Sequence, residues 1–537
     1  MRILANAAPI ALTLVLALPV AAGLGLTLVS GVGAMGALLA WPGLPRACLL
    51  SLGPGLAATS LSVLLVLLIL ATRPAVFALL QRLLAPLLAL PHAASALGLA
   101  FLIAPSGWIA RALSPWVTGW QSPPDLMTLN DPWGLALSLG LVLKETPFLL
   151  LMALPALSRP MLTRQMVART LGQPGPSAFL RAVWPQLYPQ LRLPVLAVLV
   201  YAMTNVDMAL ILGPSLPHPL AVQISLWMTA PSLTHQAEAA AAALVQLALV
   251  GVAVGLWRAV EVTGAALIRV TARYDRLGRG WNRVLAALAS LATLILSITP
   301  AFGLLALALW SIAGLWPFPN ALPRTYSPAV WSDAASALLH ASTTSVVLAL
   351  TATATGLMLV LAALQTEAQT QARPHLDGLI YLPLILPQVA FLPGIARALI
   401  WAPVPPILAV SLGHLVFVLP YAFLGLAGPF RAWDTRIAAV AATLGAHPRR
   451  VLWTLRLPML AASLAAAAAI GVAVSIGQYL PTLLLGGGRV TTLTTEAVAL
   501  ASGANRRIVG AYGLMQAFWP AVAFAIALWV QRRLAKP

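Results

Sequence analysis

Long apolar runs separated by short polar segments make up most of this chain. A run of about 20 apolar residues is long enough for a helix to cross the hydrocarbon core of a bilayer. Such runs fall into two sets of six, at 8–30, 52–72, 81–104, 133–157, 189–213 and 235–258, and then at 284–315, 342–364, 378–400, 406–428, 459–485 and 508–531. The pattern predicts an all-α membrane protein with about twelve transmembrane helices.

The composition excludes a water-soluble globule, because only 8% of the residues are charged, whereas soluble domains have about a quarter. Arginine is concentrated in alternate connecting segments: Arg73 and Arg82; Arg159, Arg164, Arg169 and Arg181; Arg269, Arg273, Arg276, Arg279 and Arg283; Arg373; Arg431, Arg436, Arg449, Arg450 and Arg456; and the tail Arg532, Arg533 and Lys536. Segments of this kind remain in the cytoplasm, so both termini are expected to be cytoplasmic. The pair Arg506-Arg507 is the main exception.

The net charge of +19 raises nucleic-acid binding as an alternative. We expect no nucleic-acid partner, because these arginines lie in short loops beside membrane spans, where positive-inside topology and membrane lipid account for them. The single cysteine, Cys48, excludes an intrachain disulfide, and the seven histidines show no metal-ligand spacing. The sequence therefore predicts neither a metal site nor a catalytic site.

One short block occurs twice, 273 residues apart. Ala168-Arg169-Thr170-Leu171-Gly172 leads to Pro185, and Ala441-Ala442-Thr443-Leu444-Gly445 leads to Pro458. In both copies the proline comes 13 positions after the glycine. Self-similarity at a fixed offset indicates one module written twice.

The duplication predicts a first six-span half at 1–258, a cytoplasmic linker at 259–283 and a second six-span half at 284–537. Within the linker, 273–279 reads Arg-Tyr-Asp-Arg-Leu-Gly-Arg, which loosely resembles the Asp-Arg-x-Gly-Arg loop of major facilitator transporters. In those transporters the loop joins the second and third spans of one half, whereas here the string joins the two halves. A solvated, positively charged linker is the favoured interpretation.

Aligning Gly98 with Gly394 leaves the first half with 23 extra residues before Pro147, and they fall within 105–132. This predicted outer loop is rich in Pro, Gly and Trp. Such a loop is typical of a lid or of a docking surface for a partner. Its tryptophans are equally typical of the aromatic belt at a membrane interface, and the sequence leaves both interpretations open.

Each copy of the repeated block has the pattern of one helix that ends and another that begins. A run of Ala, Thr and Leu ends at Gly172 or Gly445, which suits a left-handed helix end. Pro174 or Pro448 follows and suits the first turn of a new short helix. The sequence thus predicts a short helix held across the cytoplasmic face between the fourth and fifth spans of each half, an element suited to transmit force to a bound partner.

With these residues the chain resembles the inner-membrane permease subunits of binding-protein-dependent ABC importers, in particular the fused double permeases of the thiamine and ferric iron type. Their cytoplasmic signature reads approximately Glu-Ala-Ala, three residues, Gly, and later Leu-Pro. The second copy is a close match that ends in Leu457-Pro458, and the first keeps the spacing and ends in Trp184-Pro185. The resemblance implies two pseudo-symmetric six-helix halves in a bacterial inner membrane.

The resemblance also implies that each block forms a coupling helix seated in a groove of an ATPase subunit. The residues that take this role are Thr170, Leu171, Gly172, Gln173, Pro174, Gly175, Pro176, Ser177 and Pro185 in the first copy, and Thr443, Leu444, Gly445, Ala446, His447, Pro448, Arg449, Arg450 and Pro458 in the second. The implied partners are two copies of an ATPase, which bind the ATP and Mg²⁺, and an extracytoplasmic solute-binding protein. Met166 and Ala439 replace the family's glutamate, a departure at a position that can form a salt bridge to the ATPase.

We do not expect this chain to be an enzyme or to hold a cofactor. A phosphate loop needs a glycine-rich turn that ends in Lys-Ser or Lys-Thr. The chain has only two lysines, Lys144 within an apolar span and Lys536 as the penultimate residue. ATP hydrolysis is therefore assigned to a separate polypeptide.

Four polar side chains fall inside predicted spans of the first half: Lys144, Glu145, Asn205 and Asp207. Such groups are costly in a bilayer and usually mark a pathway or a partner. Lys144 and Glu145 are adjacent and point in different directions on a helix, so Asp207 is the expected partner of Lys144. Among the equivalent positions of the second half only Gln478 is polar. Two acids against one lysine favour a small cationic or zwitterionic solute, and a buried ion-pair cluster that only fixes helix packing is the alternative.

Two rival function classes remain. A twelve-span secondary transporter driven by an ion gradient would also have six-plus-six spans and a charged core, but it leaves the paired cytoplasmic block unexplained. A membrane-embedded enzyme would need clustered His, Asp or Cys within the spans, and the histidines are dispersed. The sequence therefore favours the permease subunit of an ATP-driven importer, which forms the solute pathway.

Overall fold

The computed structural model describes residues 7–271, 279–370, 376–401, 403–503 and 505–534. The long helices are labelled here α1 Ala7–Leu39, α2 Leu44–Thr72, α3 His92–Ile103, α4 Leu135–Ala156, α5 Trp184–Thr204, α6 Leu233–Thr271, α7 Arg279–Ile312, α8 Ala335–Thr370, α9 Gln388–Trp401, α10 Pro406–Arg431, α11 Ala461–Ile476 and α12 Arg506–Leu534. Shorter helices occupy the connections: Phe77–Ala89, Trp108–Leu113, Arg159–Thr170, Gly175–Ala178, Asp207–Leu212, Leu220–Thr229, Ala329–Asp333, Leu376–Ile380, Leu382–Ile385, Thr435–Thr443, Pro448–Val451, Leu457–Met459, Leu480–Gly486 and Leu493–Ala501.

The number of membrane spans agrees with the hydropathy pattern. Among the described residues, 10 helices are long and apolar enough to cross a membrane, and the number is 12 if each of two bent helix pairs is one span. The bent pairs are Gly378–Ile385 with Gln388–Trp401, at 90°, and Pro448–Met459 with Ala461–Ile476, at 75°. The prediction of an all-α membrane protein with about twelve spans is confirmed.

Prolines set the breaks that precede α3 and α9. Leu90, before Pro91, and Leu386, before Pro387, have extended backbones with ψ of 121° and 131°. The ring of a proline disfavours helical geometry in the residue before it. The runs at 81–104 and 378–400, which are predicted as continuous spans, are therefore each divided into helices before and after the proline.

Several helices run past the bounds that the apolar runs predict. The prediction ends the first span at 30 and the sixth at 258, whereas α1 reaches Leu39 and α6 reaches Thr271. A helix continues beyond the apolar stretch for as long as its backbone hydrogen bonds can be made and no breaker intervenes. The predicted linker is therefore helical up to Thr271, and most of its charged string, 272–278, lies outside the described residues.

The fifth predicted span is interrupted rather than continuous. α5 ends at Thr204, Asn205 is extended with φ −66° and ψ 127°, and the helix Asp207–Leu212 follows. Asn205 Oδ1 accepts a hydrogen bond from the Met208 N–H at 2.8 Å. Asparagine side chains compete with helical hydrogen bonds in this way, so the break has a local cause. An equivalent break separates α11 from the helix Leu480–Gly486.

The first span of each half packs against the third span of the other half. α1 contacts α9, and α7 contacts α3. Both crossings are glycine pairs: a Cβ on Gly394 would lie 1.9 Å from the Gly23 carbonyl oxygen, and a Cβ on Gly98 would lie 3.0 Å from Gly303 Cα. Because Gly98 and Gly394 are aligned positions, the two crossings are equivalent. The two predicted halves are therefore packed against each other at both crossings.

Two equivalent hydrogen bonds, one in each half, join a serine to the start of a short helix. Ser51 Oγ accepts the Leu220 N–H at 2.9 Å, and Ser345 Oγ accepts the Leu493 N–H at 2.9 Å. Leu220 and Leu493 are 273 positions apart, and each is the first residue of a short helix. The serines satisfy amides that have no partner within those helices.

Candidate functional site

The first loop (159–185) turns at Gly172, where the backbone is left-handed with φ +87°. The Gly172 N–H donates to the Arg169 carbonyl at 3.0 Å, and the Gln173 N–H donates to the Ala168 carbonyl at 3.1 Å. This pair of bonds around a left-handed glycine is the Schellman helix end. Apart from its chain neighbours, no atom of the described residues lies within 4 Å of the position that a Cβ on Gly172 would take. The backbone conformation, and not crowding, therefore requires glycine here.

The second loop (435–458) repeats this turn. Gly445 has φ +80°, its N–H donates to the Ala442 carbonyl at 2.9 Å, and the Ala446 N–H donates to the Ala441 carbonyl at 2.9 Å. Each of these residues follows its counterpart by 273 positions. The left-handed helix ends predicted at both glycines are confirmed.

Each loop continues with one turn of α-helix and then a five-residue π-helical turn. These segments are Gly175–Ala178 with Phe179–Val183, and Pro448–Val451 with Leu452–Arg456. π-Helical turns are rare and occur frequently at functional sites. Pro448 begins its helix as predicted, whereas Pro174 caps its helix from outside and Pro176 occupies the first turn.

The two loops differ in how they join the next span. In the first loop the turns run on into α5 as one helical rod, Gly175–Thr204. In the second, Leu460 leaves helical geometry with φ −95° and ψ 5°, and Pro448–Met459 makes an angle of 75° with α11. After Gly445 a separate short helix is thus found, at a steep angle to the span that follows it. The corresponding prediction for the first loop is wrong, because no residue breaks the rod there.

The loops present matching apolar side chains to solvent. Leu171 is 80% exposed and Leu444 is 82% exposed. Val167 and Val440, four residues earlier, are 52% and 60% exposed. Exposed apolar clusters of this kind mark interaction sites more often than chance. Both loops therefore offer the same apolar contact surface.

Some predicted docking residues serve the loops themselves. Thr170 Oγ1 donates to the Val167 carbonyl at 2.8 Å, and Thr443 Oγ1 donates to the Val440 carbonyl at 2.7 Å. Ser177 is buried, so it lies behind the contact surface. The others are exposed or half-buried: Gln173, Pro174, Gly175, Pro176, Pro185, Ala446, His447, Pro448, Arg449, Arg450 and Pro458.

Arg456 belongs to the interior, although the charge pattern places it with the cytoplasmic arginines. Its Nη2 donates to the Phe430 carbonyl at 2.7 Å. Its guanidinium carbon lies 3.5 Å from the Phe430 ring centroid and 4.9 Å from that of Trp433. These cation–π contacts attach the second loop to the end of α10.

Lys144 does not pair with Asp207, and that prediction is wrong. The Lys144 ammonium donates to the carbonyls of Leu87 at 2.8 Å and Leu88 at 3.4 Å, and also to that of Leu90. These carbonyls lose their helical partners because the chain breaks before Pro91. Lys144 therefore caps the broken third span of the first half.

Asp207 instead pairs with its neighbours on the chain. Asn205 Nδ2 donates to Asp207 Oδ1 at 2.8 Å and to the Tyr201 hydroxyl at 2.6 Å. Asp207 and Asn205 are each only 6% exposed. The break at Asn205 thus places a carboxylate, an amide and a phenol together inside the protein.

Glu145 lies in the same region and faces His92. His92 Nε2 is 3.5 Å from Glu145 Oε1, and the His92 ring lies 4.7 Å from the Tyr201 ring. Glu145 is 5% exposed, and its Oε1 has no hydrogen-bond partner among the described residues. A buried carboxylate oxygen without a hydrogen bond is costly, and here the charge of Glu145 is offset by the nearby Lys144 ammonium and, when its ring is protonated, by His92.

Two tyrosines from the second half complete this polar core. Tyr421 on α10 interacts electrostatically with Glu145, and Tyr479, just beyond α11, interacts with Asp207. The polar core is defined as His92, Glu145, Tyr201, Asn205, Asp207, Tyr421 and Tyr479. It lies at the boundary between the halves, with both carboxylates on the first half and phenols from each.

Sequence reasoning missed four members of the polar core: His92, Tyr201, Tyr421 and Tyr479. For three of them, a neighbouring residue in the sequence could have pointed to the position. His92 follows the break at Pro91, Tyr421 follows the repeated Pro420, and Tyr479 follows Gln478, the counterpart of Asn205. Tyr201 had no such signal.

The second half has a different polar network in place of the two carboxylates. His414 bonds Ser475 Oγ through Nδ1 at 2.8 Å and Thr482 Oγ1 through Nε2 at 2.9 Å. Thr482 Oγ1 also donates to the carbonyl of Gln478, which is 9% exposed. These residues satisfy one another within one half.

Similarity to known proteins identifies the class. No protein-family model matches the chain. It is 31% identical over 452 residues to the inner membrane ABC transporter permease protein YnjC of Escherichia coli strain K12, a match that covers 83% of this chain and 80% of YnjC. The chain belongs to the ABC transporter permeases.

The permease also shares a shorter stretch with other members of the class. It is 36% identical over 81 residues to the molybdenum transport system permease protein ModB of Mycobacterium tuberculosis and of Mycobacterium bovis. That stretch is 15% of the permease and 31% of each ModB chain. The predicted function as an ABC transporter permease is confirmed, and a secondary transporter is not favoured.

Two arginines of the permease depart from the predicted charge pattern and have structural partners. Arg506 Nη1 donates to Ser106 Oγ at 2.7 Å, and Arg507 Nη2 donates to the Gly314 carbonyl at 2.5 Å. Because Ser106 lies in the first half, Arg506 links the two halves. Both arginines therefore stabilise loop contacts, which explains their position outside the usual arginine-rich segments.

For the loop at 105–132, the structure leaves the docking surface and the aromatic belt both open. Trp108 Nε1 donates to the Ala321 carbonyl at 3.1 Å, so this ring joins the two halves. Trp116 is 90% exposed. A docking surface and an aromatic belt both fit Trp116, whereas Trp108 is structural.

Proposed function

We propose that the permease is the membrane subunit of an ATP-driven importer, made as one fused chain whose halves each bind one copy of an ATPase. The proposal rests on the two equivalent loop ends. Leu171 and Leu444 each precede the glycine of a Schellman turn and project from it. Two equivalent surfaces on one chain suit two copies of one partner. Met166 and Ala439 make the contact more apolar than the family's glutamate would.

The geometry of the first half supports a direct mechanical route. The rod Gly175–Thr204 starts at the docking loop and ends next to Asn205 and Asp207. At 1.5 Å per residue its length is about 45 Å. A displacement of the loop by ATP-driven closure of the ATPases would therefore move the polar core, since a continuous helix transmits force along its axis.

ATP and Mg²⁺ would be bound by the partner chain, because this sequence has no phosphate-loop lysine followed by Ser or Thr. The inner-membrane location follows from the relationship to YnjC. We place both termini and both docking loops in the cytoplasm, which the arginine content of those segments supports.

The polar core is our candidate for the solute pathway. Two carboxylates, Glu145 and Asp207, face one ammonium, that of Lys144, which donates to backbone carbonyls and interacts electrostatically with Glu145. Phenol rings that attract cations lie beside the carboxylates. We infer a small cationic solute of the thiamine or ferric iron type, delivered by an extracytoplasmic solute-binding protein. The molybdenum named for ModB is an alternative that rests on 81 matched residues.

Reconstitution into liposomes tests the proposal. The permease, alone and with the ATPase that copurifies with it, is supplied with thiamine, ferric ion or molybdate under an ATP load or under a proton or sodium gradient. We expect ATP-dependent uptake of a cationic probe only when the ATPase is present. Gradient-driven uptake by the permease alone would instead establish a secondary transporter, and ATP-dependent uptake of molybdate alone would remove the cationic assignment.

A further inference from the structure

A cavity of about 160 Å³ lies where α1 and α6 of the first half meet α9 of the second half. Its walls include Thr27 and Ser30 on α1, Gln236 on α6 and Arg397 on α9. No residue of the polar core lines it, and its described lining contains no Asp or Glu. A ligand in this cavity would contact both halves beside the glycine crossing of α1 and α9.

Arg397 brings a positive charge to this cavity without a protein partner. It is exposed, and it forms no hydrogen bond, ion pair or cation–π contact within the described part of the chain. Charged residues in membrane segments are almost always paired or solvated because an isolated charge is costly there. The guanidinium therefore requires an anion or water from outside the chain.

Thr27 supplies a second unpaired group on another wall of the cavity. It is only 1% exposed, and its Oγ1 has no hydrogen-bond partner among the described residues. Ser30 differs, because its hydroxyl donates to the Leu26 carbonyl at 2.8 Å. A buried hydroxyl is seldom left unpaired. Together, Thr27 and Arg397 offer one hydroxyl donor and one cationic donor to a single ligand.

The position of Arg397 on α9 identifies the side from which a ligand enters. Ile400 and Trp401, three and four residues later, share its helix face and are 68% and 82% exposed. Apolar side chains exposed on a membrane span contact lipid, and tryptophan is enriched at the membrane–water boundary. Arg397 is about 6 Å from Trp401 along the helix axis. Arg397 therefore lies one helical turn from side chains that are suited to contact lipid and the membrane–water boundary.

We propose that this cavity binds the phosphate of an anionic phospholipid, with Arg397 as the cationic donor and Thr27 as the hydroxyl donor. The absence of a carboxylate in the described lining disfavours a zwitterionic headgroup, because the ammonium group of that headgroup would have no partner. The acyl chains lie along the exposed face that carries Ile400. The bound lipid bridges the two halves at the α1–α9 crossing.

Native mass spectrometry of the full-length permease tests this site with phosphatidylglycerol and phosphatidylethanolamine. The variants are Arg397→Gln, Thr27→Val and the control Arg324→Gln. Arg324 is exposed, and its side chain has no partner in the described ranges. We expect Arg397→Gln to weaken binding of the first phosphatidylglycerol about tenfold, since a charge-assisted hydrogen bond is lost. Thr27→Val should weaken it by a smaller factor, and Arg324→Gln should leave it unchanged.

Each other outcome overturns the proposal. Equal losses in Arg397→Gln and Arg324→Gln would mean nonspecific attraction to lipid headgroups, and equal binding of both lipids would remove the anionic preference. A parallel arm adds millimolar inorganic phosphate and follows thermal unfolding in detergent. If phosphate alone stabilises the wild type but not Arg397→Gln, and the lipid preference is absent, the site binds a small anion. Size-exclusion profiles identify any variant that has not folded.

Discussion

Leu171 and Leu444 occupy the same place in two loops that are 273 residues apart, and their side chains are 80% and 82% exposed. Each stands immediately before a glycine with positive φ. The turn fixes the direction in which the leucine projects, so the two side chains form equivalent apolar contacts. This relationship links the duplication of the sequence to the proposed docking of two ATPases.

Replacing either leucine by serine should weaken ATPase binding. Burial of a leucine contributes about 1.5–3 kcal/mol, so Leu171→Ser or Leu444→Ser should each lower affinity about tenfold or more. Surface plasmon resonance with the copurifying ATPase measures this. Leu322→Ser is a matched control, since Leu322 is 54% exposed outside both loops. A similar loss in the control would mean that the loops do not provide the docking surface.

The left-handed glycines should be sensitive to substitution by alanine. Gly172→Ala and Gly445→Ala force a Cβ into a conformation that costs about 1–2 kcal/mol, and open space around each site removes any steric contribution. We expect reduced ATPase coupling, measured as ATP-dependent uptake. Asparagine at either position should retain more activity than alanine, because it tolerates this conformation.

Gly175→Ala provides the control for the glycine series. Gly175 lies in the same loop, and apart from its chain neighbours no atom of the described residues lies within 4 Å of its Cβ position, but its φ is not positive. Gly175→Ala should therefore reduce coupling less than Gly172→Ala does. Equal effects at Gly172 and Gly175 would contradict a role for the left-handed turn.

Neutralising the carboxylates of the polar core should impair transport without unfolding the protein. Glu145→Gln and Asp207→Asn keep shape but remove charge, so uptake of a cationic probe such as thiamine should fall about tenfold or more. Thermal unfolding should change little. Asp333→Asn is the control, because Asp333 is exposed away from the core. Unchanged uptake in both core variants would mean that these carboxylates only fix helix packing and do not form the solute pathway.

Lys144→Met should lower stability and leave transport intact, the opposite of the carboxylate variants. Without the ammonium, the carbonyls of Leu87 and Leu90 lose their donor, and each unsatisfied buried group costs about 1–3 kcal/mol. We expect a lower midpoint of thermal unfolding in detergent, with uptake per folded molecule retained. Loss of uptake at normal stability would place Lys144 in the pathway after all.

The close packing of α1 against α9 leads to a further prediction. Gly394→Ala places a Cβ 1.9 Å from the Gly23 carbonyl oxygen, and overpacking of this kind costs about 1–3 kcal/mol. Gly25→Ala is the control, since Gly25 is on α1 two residues from Gly23 and, apart from its chain neighbours, no atom of the described residues lies within 4 Å of its Cβ position. Differential scanning fluorimetry should show a lower midpoint for Gly394→Ala alone. Equal midpoints would mean that the crossing adjusts without strain.

The sequence predicted the turns at Gly172 and Gly445, which follow from glycine after a helix-forming run. It did not predict the breaks before α3 and α9, which fall inside runs predicted as continuous spans, although Pro91 and Pro387 cause them. These are local effects of backbone sterics, so they can be read without knowing the fold. The straight rod after Gly175 was not predicted, because the second loop has the same motif and yet bends at Leu460.

The sequence by itself determined that this is a membrane protein built from a repeated module with two equivalent loops, because apolar length and residue spacing are properties of the chain. Only the tertiary structure decided which groups meet. Lys144 binds carbonyls that lie more than 50 residues earlier in the chain. Tyr421 interacts electrostatically with Glu145 of the other half, and Gly98 and Gly394 contact the first spans of opposite halves. These contacts depend on how helices cross in space, which hydrophobic periodicity does not specify.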